Sequence, residues 1–283
     1  MLVFQAQGRN RGFPGLRPIP GTGCGPGAMN KVLQITDTHL FASDEGELRG
    51  TRTSETLEWV LEHVRHEHPD TRCILATGDL VQQETAEAYE RFVHYFGRFD
   101  IPVLCLPGNH DDPALMRQVL SRPPFHLETR FALGAWDLIQ LDSHIPGSPA
   151  GEVGQAQLEE LDGLLQAQPE RPTLVAVHHQ PVPVGTPWLD GVGLRDGDAL
   201  LACLERHPQV KTLIWGHVHQ PSEQRHGHIQ LLGTPSTCAQ FLPGSEDFAI
   251  DPEAPPAYRV LWLGEDGRFE NELVQLHDAV SHS

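Results

Sequence analysis

Positive charge is what this sequence has least of: 20 Lys and Arg stand against 38 Asp and Glu, a formal net charge of -18. Binding along a DNA or RNA backbone needs Lys and Arg to displace condensed counterions, so no polymeric nucleic acid is expected as a partner. A small phosphorylated molecule stays open, because bound cations can reverse the field locally on an acidic surface. Apolar runs are short as well. None approaches the roughly 20 residues that cross a bilayer, and the N-terminus turns polar and rich in Gly and Pro too soon to hold a secretory signal. Cysteine is scarce, five in 283 residues. The number is odd and no CxxC pair occurs, which argues against a disulfide framework or a zinc knuckle. These absences point to the cytoplasm and to no membrane. Cys73 and Cys105 fall inside apolar runs and are expected to be buried, inert thiols.

What is present follows a layered α/β pattern. Residues 1–29 carry dense Gly and Pro without an apolar period and are expected to form a disordered extension, with one domain over 30–283. Met29 stands directly before the first strand and is expected as an alternative translation start. Strands are expected over Val32–Thr36, Cys73–Thr77, Val103–Leu106, Asp137–Leu141, Thr173–His178, Thr212–Trp215, His228–Leu232 and Arg259–Leu263. Helices are expected near Ser54–Glu67, Thr85–Arg98, Pro113–Leu120, Gln155–Gln166 and Asp198–His207. Thr53 or Ser54 reads as the start signal of the first helix, and Pro113 as that of the third. The last third, poorer in helical stretches, is expected to end in antiparallel strands.

Five short motifs each follow an apolar strand-like run: Asp37-Thr38-His39, Gly78-Asp79, Gly108-Asn109-His110-Asp111, His178-His179 and Gly216-His217-Val218-His219. Ligands of open α/β sheets collect beyond the carboxyl ends of the strands, where such loops converge. Asp37 and His39 are two apart, so a continuing strand would turn both to one face. Asp79 follows a glycine, and its two oxygens can bridge two cations. Asn109, His178, His217 and His219 add neutral oxygen and nitrogen donors, and imidazole mixed with carboxylate suits manganese, iron or zinc. Each motif alone has an ordinary explanation as a turn or polar surface; five at strand ends are hard to obtain by accident. His63, His66 and His68, and likewise His226, His228, His277 and His282, are expected on solvated faces.

At these motifs the sequence resembles the calcineurin-like metallophosphoesterase superfamily, over essentially all of residues 31–275. Thr234–Phe241, Trp188–Asp190 and Thr38–Phe41 are similar to the narrower class of bacterial cyclic AMP phosphodiesterases. The resemblance implies a single-domain α/β fold, a four-layer α-β-β-α sandwich, with two metal ions, iron or manganese, zinc or magnesium being alternatives. By motif, Asp37, His39 and His219 hold one ion, Asn109, His178 and His217 the other, and Asp79 bridges. His39, Asp79, Asn109, His110 and His219 lie beside the substrate phosphate, and His110 is the expected catalytic acid. Asp111 either orients His110 or caps the helix that begins at Pro113. Relatives often carry an acid three positions after the bridging Asp; here that position is Gln82, which weakens any supporting role for an acid there. The implied reaction opens 3',5'-cyclic AMP to 5'-AMP and lowers cellular cyclic AMP. The motifs alone leave open a 2',3'-cyclic nucleotide, a phosphomonoester or a nucleotide-sugar pyrophosphate as substrate, or a non-catalytic scaffold. Trp188 and Phe241 read equally as pocket walls or as packing.

Overall fold

Short apolar runs bounded by Gly, Pro and Asp become strands, and amphipathic stretches become the helices that cover them. The computed structural model describes residues 29–277. In chain order the elements are β1 (Met29–Ile35), the ribbon β2 (Glu47–Leu48) and β3 (Thr51–Arg52), α1 (Thr53–Glu67), β4 (Cys73–Thr77), α2 (Ala86–Phe96), β5 (Val103–Leu106), α3 (Pro113–Leu120), β6 (Phe125–His126), β7 (Arg130–Leu133) and β8 (Trp136–Gln140). Then follow α4 (Gln155–Ala167), β9 (Thr173–Ala176), α5 (Pro187–Asp190), α6 (Gly197–Glu205), β10 (Val210–Trp215), β11 (Ser222–His226), β12 (Ile229–Gly233), the ribbon β13 (Gln240–Phe241) and β14 (Ile250–Asp251), β15 (Ala257–Gly264) and β16 (Phe269–Gln275). The Gly/Pro-rich extension, except for Met29 opposite Gly264, and His282 lie outside the described residues.

Two six-stranded sheets result, ordered β16-β15-β1-β4-β5-β6 and β11-β12-β10-β9-β8-β7. In each, four parallel strands form the body, and antiparallel strands close the edges: β15 and β16 in the first, β7 and β11 in the second. The two-residue period of a strand sorts side chains into layers. In β4, Cys73 and Leu75 face the other sheet, whereas Ile74 and Ala76 pack under the helices. In β10, Ile214 joins the cluster between sheets, and Leu213 and Trp215 the cluster under the opposite helices. One apolar cluster thus packs the first sheet against α1, α2 and α3, a second packs the other sheet against α4 and α6, and a third fills the space between. This is the expected α-β-β-α sandwich in one domain. Trp136 of β8 sits fully buried between the sheets, and its Nε1 donates to the Gly264 carbonyl of β15 at 2.8 Å. Nearer the strand ends, buried Gln34 donates to the Trp215 carbonyl and to Thr77 Oγ1 at 3.0 Å, and accepts from Thr234 Oγ1 at 2.6 Å. A polar group satisfied on all sides fixes the spacing of the sheets beneath the site.

Two local expectations need correction. Neither Thr53 nor Ser54 caps α1: the cap position is Arg52, without a side-chain cap, and Ser54 Oγ instead donates to the Asp44 carbonyl at 2.7 Å. His63 and His68 are not simply solvated. Their ring nitrogens each lie 2.9 Å from the hydroxyl of buried Tyr258, a polar tip that needs a partner at the edge of the core. His66 is exposed as expected. Cys73 and Cys105 are buried and free, with burial pushing both thiols up.

Candidate metal centre

The five motifs converge where the strands of both sheets end. Their approach depends on left-handed backbone. Among the described residues six non-glycine positions have positive φ, and five are site residues: Asp37 (53°), His39 (43°), Asp79 (50°), His217 (63°) and His219 (47°). Such a conformation costs an L-residue about 1–2 kcal/mol, so its concentration here marks a spot where surrounding structure holds side chains against local preference. This replaces one sequence expectation. β1 ends at Ile35, so Asp37 and His39 meet through two left-handed turns and not through the pleat of a continuing strand. The motif glycines serve close approach: a Cβ at Gly108 would overlap the Asp79 carboxylate, and one at Gly216 would overlap Thr36 and Asp37.

Two triads of donor atoms emerge. In the first, His219 Nε2 lies 3.3 Å from Asp37 Oδ1 and 3.2 Å from His39 Nε2, which is 4.0 Å from Asp37 Oδ1. In the second, Asn109 Oδ1 lies 3.2 Å from His178 Nε2 and 2.9 Å from His217 Nδ1. Asp79 joins them, its Oδ2 being 3.4 Å from His178 Nε2 and 3.6 Å from His39 Nε2. Donors around one first-row metal at about 2.1 Å stand about 3.0–3.4 Å apart, so both triads fit a cation each. The ring orientations agree. His178 Nδ1 donates to the Thr77 carbonyl at 2.9 Å and His219 Nδ1 to the Ala239 carbonyl at 2.6 Å, leaving Nε2 of each as a lone pair facing the site. On the sides of the rings away from the triads, His39 Nδ1 and His217 Nε2 are buried without a hydrogen-bond partner.

The electrostatics point the same way. Burial opposes ionisation of Asp37 and Asp79, yet the surrounding imidazoles hold Asp37 low and Asp79 well below the carboxylate range. Burial pushes His39 and His217 down to about 3, so both are neutral donors. For His178 the Asp79 carboxylate outweighs burial and pushes it up to about 9: without a cation, a proton occupies the position beside Asp79. Two buried carboxylates facing one protonated ring call for further positive charge, which metal ions would supply.

His110 differs from the donors. It is half-buried, its backbone N–H donates to Asp79 Oδ1 at 2.8 Å, and its ring stands edge-on to His39 with centroids 5.1 Å apart. The Gln82 side-chain amide lies 3.3 Å from His110 Nδ1 and holds the ring with Nε2 turned away from it. The departure at Gln82 therefore does not empty that position. Neither expectation for Asp111 holds. Asp112 caps α3, accepting from Ala114 N and Leu115 N. Asp111 is fully buried and accepts from Gly108 N (2.9 Å), Leu80 N (3.1 Å), Val81 N (3.4 Å) and Tyr89 Oη (3.0 Å). It ties the Asp79 loop to the Asn109 loop, and burial with the nearby Asp79 charge pushes it up to about 7. His179, given no role from sequence, lies buried against His178 and His217 and bonds Ser143 Oγ at 2.8 Å.

A sandwich with this cluster at its strand ends is the architecture of a metal-dependent phosphoesterase. The model of the calcineurin-like phosphoesterase family matches residues 30–221, and the chain belongs to that family. Among curated relatives, it is 42% identical to the 3',5'-cyclic adenosine monophosphate phosphodiesterase CpdA of Vibrio vulnificus, over 87% of this chain and 90% of that protein. It is 40% identical to CpdA of Pseudomonas aeruginosa, over 88% and 91%. Among solved structures, a dimetal phosphatase from Danio rerio superposes with a TM-score of 0.62 at 16% identity, covering 88% of this chain and 99% of that one, a likeness of fold.

Proposed function

We propose that this chain hydrolyses 3',5'-cyclic AMP to 5'-AMP at a centre of two metal ions, and so lowers cellular cyclic AMP. The observation that carries the chemistry is Asp79, whose carboxylate stands between two triads of buried donors. Asp37, His39 and His219 hold one ion, Asn109, His178 and His217 the other, and Asp79 bridges them. Iron or manganese suits this mixture of imidazole and carboxylate, with zinc or magnesium as alternatives. When bound, such a pair supplies Lewis acidity toward the phosphate oxygens and acidifies the attacking water.

The chain supplies the rest. His39, Asp79, Asn109, His110 and His219 flank the phosphate. His110, in contact with Gln82 through Nδ1, stands beside the phosphate and as an imidazolium gives a proton to the 3'-oxygen as the P–O3' bond breaks, returning to the neutral ring. The strained turns hold these groups in position before substrate arrives, so little reorganisation remains for the reaction. Cyclic AMP is favoured among phosphate esters because CpdA proteins align with nearly the whole chain. The catalytic domain runs over 30–283, and a cytoplasmic location fits the four cysteines among the described residues, all free and buried. No helix among the described residues is long and apolar enough to cross a membrane.

The experiment loads purified protein with manganese, iron or zinc and offers 3',5'-cyclic AMP, 2',3'-cyclic AMP and a simple phosphomonoester side by side. Conversion of the 3',5'-ring to 5'-AMP, resolved by chromatography, is the expected result. Activity confined to another ester would discard cyclic AMP and keep the metal centre, and no activity with bound metal would leave a scaffold.

A further inference from the structure

Among the described residues two large apolar side chains are exposed, Leu242 (42%) and Phe248 (44%), and both lie on the loop between β13 and β14. That loop is rooted in the metal centre. Phe241 N donates to the His219 carbonyl, and the Phe241 ring stacks on the His219 ring with centroids 4.1 Å apart and planes 12° apart. Its far end is closed by the bond from Leu242 N to the Ala249 carbonyl at 2.9 Å, and Gly244 N donates to Thr186 Oγ1 at 3.0 Å. Phe248 stands 5.3 Å from the Phe241 ring and 5.2 Å from Trp188. The two successive ring contacts put Phe248 within about 10 Å of the His219 ring, at a distance where aromatic groups still meet through one intermediate.

From the turn between β2 and β3, Arg49 reaches over Phe248, its guanidinium carbon 4.7 Å from the ring centroid. Arg49 is also the sixth non-glycine residue with positive φ, at 53°, and the one outside the metal centre. With Gly50 at 85° it forms the two-residue turn between β2 and β3, which requires positive φ at both positions and fixes where Arg49 starts. A packing role would bury the Phe248 ring, yet it stays almost half open beside a planar cation. Aromatic and guanidinium planes side by side are the surfaces on which nucleobases stack.

We propose that Phe248 and Arg49 form the nucleobase subsite. With the cyclic phosphate at the metal centre, the base reaches one ribose outward and stacks on the Phe248 ring beneath the Arg49 guanidinium. Phe241 sits between, against His219, and forms the wall along the ribose. The guanidinium that now rests on the phenyl ring transfers its stacking to the base, so one planar contact becomes two. This rests on the reading of the centre as a cyclic-nucleotide site, and it assigns the residues that recognise the base.

The test uses the full chain loaded with manganese. It measures kcat and KM for 3',5'-cyclic AMP and for a ribose 3',5'-cyclic phosphate lacking the base, in the wild type and in Phe248→Ala, Phe248→Trp, Arg49→Ala and Leu242→Ala. Phe248→Ala is expected to raise KM for cyclic AMP about tenfold, the size of one base–aromatic stack, with kcat and metal content retained. Arg49→Ala shifts KM the same way, Phe248→Trp restores it, and Leu242→Ala, equally exposed on the same loop, leaves it unchanged. The base-free probe is indifferent to all four. A cyclic AMP KM within twofold of wild type in Phe248→Ala, or an equal rise with the base-free probe, overturns the subsite while the cyclic nucleotide reading stands. A wild type that turns over neither cyclic phosphate overturns both.

Discussion

Replacing Asp111 with alanine removes one acceptor that four donors share. Two of them, the amides of Gly108 at 2.9 Å and Leu80 at 3.1 Å, point into a fully buried position where water cannot substitute. The Tyr89 hydroxyl can fall back on the Asp112 carbonyl, 3.4 Å away, and the Val81 bond is long at 3.4 Å. The cost therefore rests mainly on two orphaned amides at about 1–3 kcal/mol each, or about 4 kcal/mol together. For a chain of this size that lowers Tm by roughly 10 °C. Asp111→Asn keeps one acceptor oxygen and is expected to lose about half as much. Thermal unfolding of the metal-loaded protein reads this directly, and turnover should fall with it, because the loops carrying Asp79 and Asn109 lose their common anchor. A Tm within 2 °C of wild type would refute the anchoring role. Unchanged Tm with a collapsed kcat would instead mean that the carboxylate acts on His110.

Three further substitutions separate the roles within the site. Asp79→Ala removes the group shared by both triads, and bound metal, measured by elemental analysis, is expected to disappear together with turnover; full occupancy with activity would end the bridging assignment. His110→Ala leaves the seven metal donors in place and is expected to retain metal while losing about 10²- to 10⁴-fold in kcat, as removal of a proton donor does. Metal loss in that variant would show that His110 is a ligand. Gly108→Ala drives a Cβ into the Asp79 carboxylate and backbone, so weakened metal affinity is expected by titration, with far-ultraviolet circular dichroism unchanged.

The parts of this molecule legible in its sequence are those where one physical requirement dominates. β4, β5 and α3 fall on their expected residues because an apolar run needs burial and Gly, Pro or Asp ends it. The edge strands β7, β11 and β16 were not anticipated: each turns one face to water, and sequences such as Ser222–His226 carry no apolar run to announce pairing. The candidate donors could be picked out because each follows a buried strand, where a polar side chain needs a reason. Their orientation could not. It depends on the carbonyls of Thr77 and Ala239, main-chain groups that every residue possesses, brought within reach only when distant strands pair.

Asp111 shows the same limit from the other side. Beside His110 and before Pro113, its neighbours in sequence suggested two roles, and both were local. Besides Gly108 its partners are distant in sequence: Tyr89 of α2, and Leu80 and Val81 some thirty residues earlier, which reach it because β4 and β5 are adjacent parallel strands whose carboxyl ends share one loop cluster. Parallel pairing is what carries distant loops to one end of a sheet. It follows that the acid tying the two loops together takes only its Gly108 bond from a sequence neighbour; its other donors come from the loop after the adjacent strand and from α2.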